Sequence, residues 1–119
     1  MQFNRRDLSY LYDIHESATD IIRLTTKKDV NEFVNDKMTR AAVERCYSII
    51  GTATDKLSKE AKDSLCNIQW DKIMEIKNVV TFDYRNIDGN EMWEFSRSHV
   101  PEIVRELEQI DELKEYITK

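Results

Sequence analysis

A group of polar and aromatic side chains closes an amphipathic segment in the second half of the chain. The segment carries apolar residues at helical spacing, namely Trp70, Ile73, Met74, Ile76 and Val80. The residues that crowd its end are Lys77, Asn78, Asp83, Tyr84 and Arg85. Cations, amides and a phenol gathered at a helix terminus are typical of a binding or reaction site. The alternative is an ordinary amphipathic helix that runs into a loop.

The two histidines of the chain fit structural positions. His15 is in helical register with Leu8, Leu11 and Ile22, and His99 falls on the apolar side of a later helical segment. Neither histidine has carboxylates or thiols at metal-ligand spacing, so we predict no metal site and no cofactor. No Ser-His-Asp arrangement for nucleophilic catalysis can be read from the sequence.

Glycine and proline are scarce, because the 119 residues include only two glycines and one proline. A glycine-rich phosphate loop, a dinucleotide fingerprint and a turn-rich sandwich or barrel all need more glycine than this. Charged residues make up 34% of the chain, and helix formers dominate the rest. The composition therefore predicts one all-α domain spanning residues 1–119.

The net charge of −5 is unevenly distributed. Residues 1–60 carry 10 basic and 10 acidic side chains, so the whole acidic excess lies in residues 61–119. A general nucleic-acid binder is basic overall, and any RNA contact here needs a local basic patch. The acidic end of the chain is expected to be a solvated helix face.

Several absences predict a cytoplasmic protein that does not enter a membrane. No apolar run follows the first six residues, so no signal peptide is expected. No stretch approaches the roughly 20 apolar residues of a membrane span. Cys46 and Cys66 lack metal-ligand spacing and are expected to be free thiols.

Apolar spacing and capping residues predict an antiparallel bundle of four long helices plus short ones. The expected helices cover residues 5–26, a short stretch after Asp29, residues 38–57, residues 58–65, a segment beginning near residue 69, and residues 89–116. Asp29 with Glu32, and Asp88 with Glu91, have the spacing of helix caps. Gly51 inside the third helix predicts that another helix packs very close to it. Pro101 is expected to kink or split the last helix.

Ordered landmarks along the chain match a known pattern. They are Arg6-Asp7-Leu8, residues 42–51 (Ala-Val-Glu-Arg-Cys-Tyr-Ser-Ile-Ile-Gly), Trp70, Lys77-Asn78, Asn86-Ile87-Asp88, Trp93 and Val100-Pro101. Over about residues 5–113 the chain resembles the HepT-like group of HEPN proteins, the ribonuclease-toxin halves of type VII toxin–antitoxin pairs. The resemblance implies a HEPN-type helical bundle, a homodimer with its two motifs facing one cleft, and a minimal nucleotidyltransferase as the antitoxin partner.

The chain departs from that family in its active motif, which is an arginine, four residues, a histidine, one residue and a tyrosine. Here Lys77, Phe82 and Tyr84 occupy those positions, with Asn78 beside Lys77. The resemblance implies that the first position binds the scissile phosphate and the second moves a proton, without a metal. Lys77 keeps the charge but lacks the bidentate fork of arginine, and Phe82 cannot carry a proton. The motif is therefore degenerate, and we expect weak ribonuclease activity or none. Thr52, where the family usually has glutamate, is a second departure.

The resemblance also gives roles to the residues around the motif. It implies that Tyr84 accepts AMP from the partner, although an ordinary packing tyrosine is the alternative. Lys77, Tyr84 and Arg85, with Arg45 near them, are expected to line the cleft and supply the basic patch that RNA would need. An active ribonuclease that uses Lys77, Tyr84 and another proton carrier is a second hypothesis. A plain helical scaffold is a third.

Overall fold

The chain is helical throughout the part that the structure describes. The computed structural model describes residues 3–82 and 87–117. In chain order the helices are α1 (Arg5–Thr25), α2 (Val30–Asn35), α3 (Lys37–Lys56), α4 (Lys59–Ser64), α5 (Trp70–Phe82), α6 (Gly89–Ser98), α7 (Val100–Glu108) and α8 (Asp111–Ile117). Those two ranges contain no strand, so the all-α prediction is confirmed. Within them, no helix has both the length and the apolar character that a membrane crossing requires.

Side-chain caps fix where several helices begin. Asp29 and Glu32 form a reciprocal capping box at the start of α2, as their spacing predicts. Ser58 caps α4, and the carboxylate of Asp88 accepts a hydrogen bond from the backbone N–H of Glu91 in α6. These local signals explain why the predicted helix starts agree closely with the observed ones.

The segment predicted as one helix over residues 89–116 is three consecutive helices, α6, α7 and α8. The first break precedes Pro101, which lies in the first turn of α7, as expected for a residue without a backbone N–H. The second break, at Gln109 and Ile110, was not predicted. There the backbone N–H groups bond to carbonyls three residues back, which interrupts the α-helical pattern. The fourth long helix predicted for the bundle is therefore divided into α6, α7 and α8.

Helix α1 is the centre of the core. It packs against α3, α6, α7 and α8. Leu11, Ile14 and Ile21 of α1 and Val43 and Ile50 of α3 are fully buried. Burying each such side chain contributes about 1.5–3 kcal/mol. The α1–α3 pair thereby forms the fixed base on which α5 rests.

Three polar pairs link helices that are distant in sequence. They are Asp7 with Ser58, His15 with Glu108, and Tyr47 with Ser96. The carboxylate of Asp7 accepts hydrogen bonds from both the backbone N–H and the hydroxyl of Ser58. His15 is buried, and its Nε2 lies 2.9 Å from Oε2 of Glu108, which gives this histidine the structural role that its helical register predicts.

The cap of α3 makes a testable contribution to stability. The carboxylate of Asp36 accepts hydrogen bonds from Thr39 and pairs with the ammonium of Lys28, and these contacts lower its pKa to about 2. Because the pKa is depressed in the folded state, this stabilisation is present above about pH 4 and is lost as the pH falls towards 2. We expect Asp36→Asn to lower the urea unfolding midpoint at pH 6 much more than at pH 2.5.

The matched control is Asp63→Asn, because Asp63 pairs with Lys59 on the exposed surface of α4. That change should have little effect at either pH. If Asp36→Asn lowered the urea unfolding midpoint equally at pH 6 and at pH 2.5, the effect could not be assigned to the ionised carboxylate of Asp36.

Candidate functional site

Helix α5, which carries the motif positions Lys77, Asn78 and Phe82, is held mainly by α3. Its fully buried side chain is Ile73. One turn further on, the aliphatic stem of Lys77 lies directly over Gly51 of α3. A Cβ atom built on Gly51 would overlap Cβ and Cγ of Lys77 and lie 3.1 Å from its Cδ. The prediction that a helix packs very close to Gly51 is confirmed, and the contact is made by a residue of the motif itself.

The structure brings Lys77 and Phe82 together. The ammonium nitrogen of Lys77 lies 5.6 Å from the centroid of the Phe82 ring, within the range of a cation–π contact. Phe82 is nevertheless 76% exposed, so most of its ring faces solvent. A fixed cation beside an open aromatic ring can hold an anion and a planar group next to each other. No proton can be transferred by the phenyl ring.

An open groove of about 800 Å³ separates α5 from α6. Its apolar lining is Ile76, Val79, Val80, Ile87, Met92 and Phe95. Asn78 lines the groove from α5 and His99 lines it from the end of α6, whereas the stem of Lys77 lies against α3. The structure therefore places Asn78 and His99 in one space, and Lys77 with Phe82 in another.

His99 is the histidine that lines this groove. Its ring stacks on Phe95 with centroids 4.7 Å apart, and the side chain is half-buried. Its Nδ1 atom is buried and has no hydrogen-bond partner among the described residues. An imidazole nitrogen without a partner can still donate or accept a hydrogen bond, according to its tautomer.

The charge around the groove is unfavourable for phosphate. Carboxylates of Glu75, Asp88, Glu91 and Glu94 line it, against the single ammonium of Lys72 among the described lining residues. A phosphate-bearing ligand is therefore expected to favour the seam between α3 and α5, where Lys77 lies, over the floor of the groove.

The remaining predicted site residues are only partly placed. Arg45 is exposed on α3, six residues before Gly51, which corresponds to roughly 9 Å along the helix axis. Thr52, next to Gly51, is also exposed. Asp83, Tyr84 and Arg85 lie outside the described residues, so the predicted places of Tyr84 and Arg85 in the cleft stay predictions.

Sequence reasoning missed the groove and the partner of Gly51. The apolar residues Ile76, Val79 and Val80 were a usable signal for the groove, because they widen the apolar stripe of α5 beyond what one neighbouring helix covers. No comparable sequence pattern predicts the contact between Gly51 and Lys77, because a charged residue such as lysine is expected to face solvent.

Comparison with known proteins shows which family the chain belongs to. The family model described as "Ribonuclease HepT-like" matches residues 14–110. The chain belongs to the HepT-like ribonuclease family. The HepT-like resemblance drawn from Lys77-Asn78 and the other landmarks is thereby confirmed.

Individual HepT-like relatives match over most of the chain. "Putative RNase MJ1380" of Methanocaldococcus jannaschii is 37% identical over 106 residues, which cover 88% of this chain and 97% of that protein. "Putative RNase MJ1216" of the same organism is 33% identical over 89% of this chain and 88% of that protein. "Probable ribonuclease HepT" of Thermococcus cleftensis is 26% identical over 89% of this chain and 96% of that protein. No solved structure matches this HepT-like chain.

Proposed function

We propose that this HepT-like protein is the HEPN component of a type VII toxin–antitoxin pair and that its ribonuclease site is degenerate. In this proposal the site cleaves RNA weakly or not at all. The observation that carries it is the exposed phenyl ring of Phe82 at the position where the family motif has its proton-transferring histidine. Lys77 retains a positive charge there, so attraction of phosphate survives the loss of proton transfer.

The proposed partners are a second copy of the chain, a minimal nucleotidyltransferase and RNA, in the cytoplasm. Val79 exposes apolar surface on α5 and lines the open groove. An uncovered apolar surface of this kind supports a homodimer formed on the α5 side. RNA would contact Lys77, Arg45 and Arg85 at the edge of that interface.

Growth after induced expression tests the degenerate site directly. Expression without the nucleotidyltransferase should leave the growth of a bacterial host unchanged, because a site without a proton carrier cannot degrade essential RNA quickly. Lys77→Ala is the control that removes the phosphate-binding charge. Growth arrest by the parent protein that disappears with Lys77→Ala would overturn the proposal.

Modification of Tyr84 tests the proposed partnership. Incubation with ATP and a minimal nucleotidyltransferase should transfer one adenylyl group to the phenol oxygen of Tyr84, with release of pyrophosphate. Intact-mass spectrometry measures the addition. Tyr84→Phe should abolish it, whereas Tyr116→Phe, at a partly exposed tyrosine on α8, should not. An unmodified parent protein, or modification that persists in Tyr84→Phe, would contradict the assignment.

An active ribonuclease is the second candidate, and His99 is the observation that favours it. This histidine shares the groove with Asn78, and its Nδ1 is free of hydrogen-bond partners among the described residues. It could act as the missing proton carrier. RNA cleavage by the parent protein that is lost in His99→Gln would favour this candidate over the degenerate site.

A further inference from the structure

Phe82 stands out among the exposed side chains of the described residues. A phenyl ring that is 76% exposed keeps a large apolar surface in water, and the ammonium of Lys77 lies 5.6 Å from its centroid. The carbon stem of Lys77 packs against Gly51, and the ammonium at its end lies near the ring. The result is an aromatic surface with a positive charge fixed beside it.

We propose that Phe82 is a stacking surface for an unpaired RNA base and that Lys77 holds a phosphate next to that base. The inference rests on the proposed function in that RNA is the ligand. It goes further by giving the substituted motif position a binding role in place of the lost proton transfer. Every nucleobase has a π-face, so such a surface binds RNA with little sequence preference.

Two features favour single-stranded RNA over a duplex. Proteins stack aromatic side chains on bases that are already unpaired, because bases inside a duplex stack on each other. In addition, the acidic lining of the neighbouring groove disfavours a second phosphate backbone on the α6 side of α5. A single strand that crosses the α5 terminus needs only one base on Phe82 and one phosphate on Lys77.

Fluorescence anisotropy with a fluorescein-labelled, mixed-sequence 12-nucleotide RNA tests the stacking role. Phe82→Leu keeps an apolar side chain without a π-face and should weaken binding about 5- to 150-fold. Phe82→Trp should bind as tightly as the parent protein or more tightly. Met38→Leu, at an 81% exposed apolar residue on α3, is the matched surface control and should have no effect.

The salt dependence separates the two roles. Lys77→Gln keeps the carbons that pack on Gly51 and removes the charge. The negative slope of the logarithm of the association constant against the logarithm of the salt concentration should therefore become shallower by about 0.7. Phe82→Leu should leave that slope unchanged, since stacking releases no counterions. A 2-aminopurine base in the same RNA should be quenched by the parent protein and by Phe82→Trp, but not by Phe82→Leu.

Several outcomes would overturn the stacking role. They are unchanged affinity in Phe82→Leu, equal affinity for the 12-mer and its duplex, or no binding of the RNA at all. A change of oligomeric state in Phe82→Leu, measured by light scattering, would instead assign the ring to contact with a second copy. These results are distinguishable from failure of the proposed function, because growth, RNA cleavage and AMP transfer are measured separately.

Discussion

Replacing Phe82 by histidine and Lys77 by arginine should raise the rate of RNA cleavage by about 10²- to 10⁴-fold over the parent protein. The double change restores an imidazole for proton transfer and a guanidinium that can grip the phosphate with two parallel hydrogen bonds. The position of Phe82 at the open end of α5 leaves room for the imidazole, because the ring it replaces is mostly exposed.

Cleavage of a fluorophore–quencher RNA by purified proteins measures this gain. Lys77→Arg alone should gain little, because it supplies no proton carrier. Phe82→Asn combined with Lys77→Arg is the matched control, since an amide is polar but cannot move a proton at neutral pH. A parent protein as fast as the double variant, or an inactive double variant that still folds and binds the RNA, would show that these positions do not decide activity.

Gly51→Ala should lower the free energy of unfolding by up to about 2 kcal/mol. Alanine favours the interior of a helix by about 1 kcal/mol over glycine, so an exposed glycine would respond in the opposite direction. Here the added Cβ would overlap Cβ and Cγ of Lys77, and because the Cβ of Lys77 is bonded to the backbone, no side-chain rotation removes that overlap. Overpacking of this kind costs about 1–3 kcal/mol, because α5 must move off α3.

Urea unfolding of four proteins checks this contact: the parent, Gly51→Ala, Lys77→Ala and the double variant. The loss in Gly51→Ala should shrink in the Lys77→Ala background, because truncation removes the Cγ and Cδ atoms of the lysine stem. Gly89→Ala is the comparison at a looser glycine, whose added Cβ would lie 3.3 Å from Val34. Equal effects at the two glycines, or additive effects at Gly51 and Lys77, would contradict the tight crossing.

Much of the fold could be predicted because its signals are local. The cap at Asp29 is formed by residues within one turn of it, and Pro101 fits only the first turn of a straight helix because it has no backbone N–H. The break at Gln109 has no such signal, because glutamine is an ordinary helix former. It reflects how α7 and α8 both turn to pack on α1, which is a tertiary effect.

The site was predictable only in part. The motif spacing predicted Lys77 and Phe82 as candidate site residues, and the structure places them side by side. The groove next to them depends on how α5 and α6 are held apart, and sequence spacing within one helix carries no information on that distance. The same limit applies to His99. Its contact with Phe95, four residues earlier, could be predicted from helical spacing, but the groove that it shares with Asn78 could not.

The contacts of α1 have a consequence for synthesis on the ribosome. Its apolar stripe is covered partly by α7 and α8, and the backbone N–H of Phe3 bonds to Glu112 near the far end of the chain. Because translation adds about 5–20 residues per second, several seconds pass between the synthesis of α1 and the synthesis of α7 and α8. α3 and α5 emerge earlier, so the crossing of Lys77 over Gly51 can form before the bundle closes. A nascent chain that ends before residue 100 lacks α7 and α8 and therefore leaves part of the apolar stripe of α1 uncovered, a surface that chaperones bind.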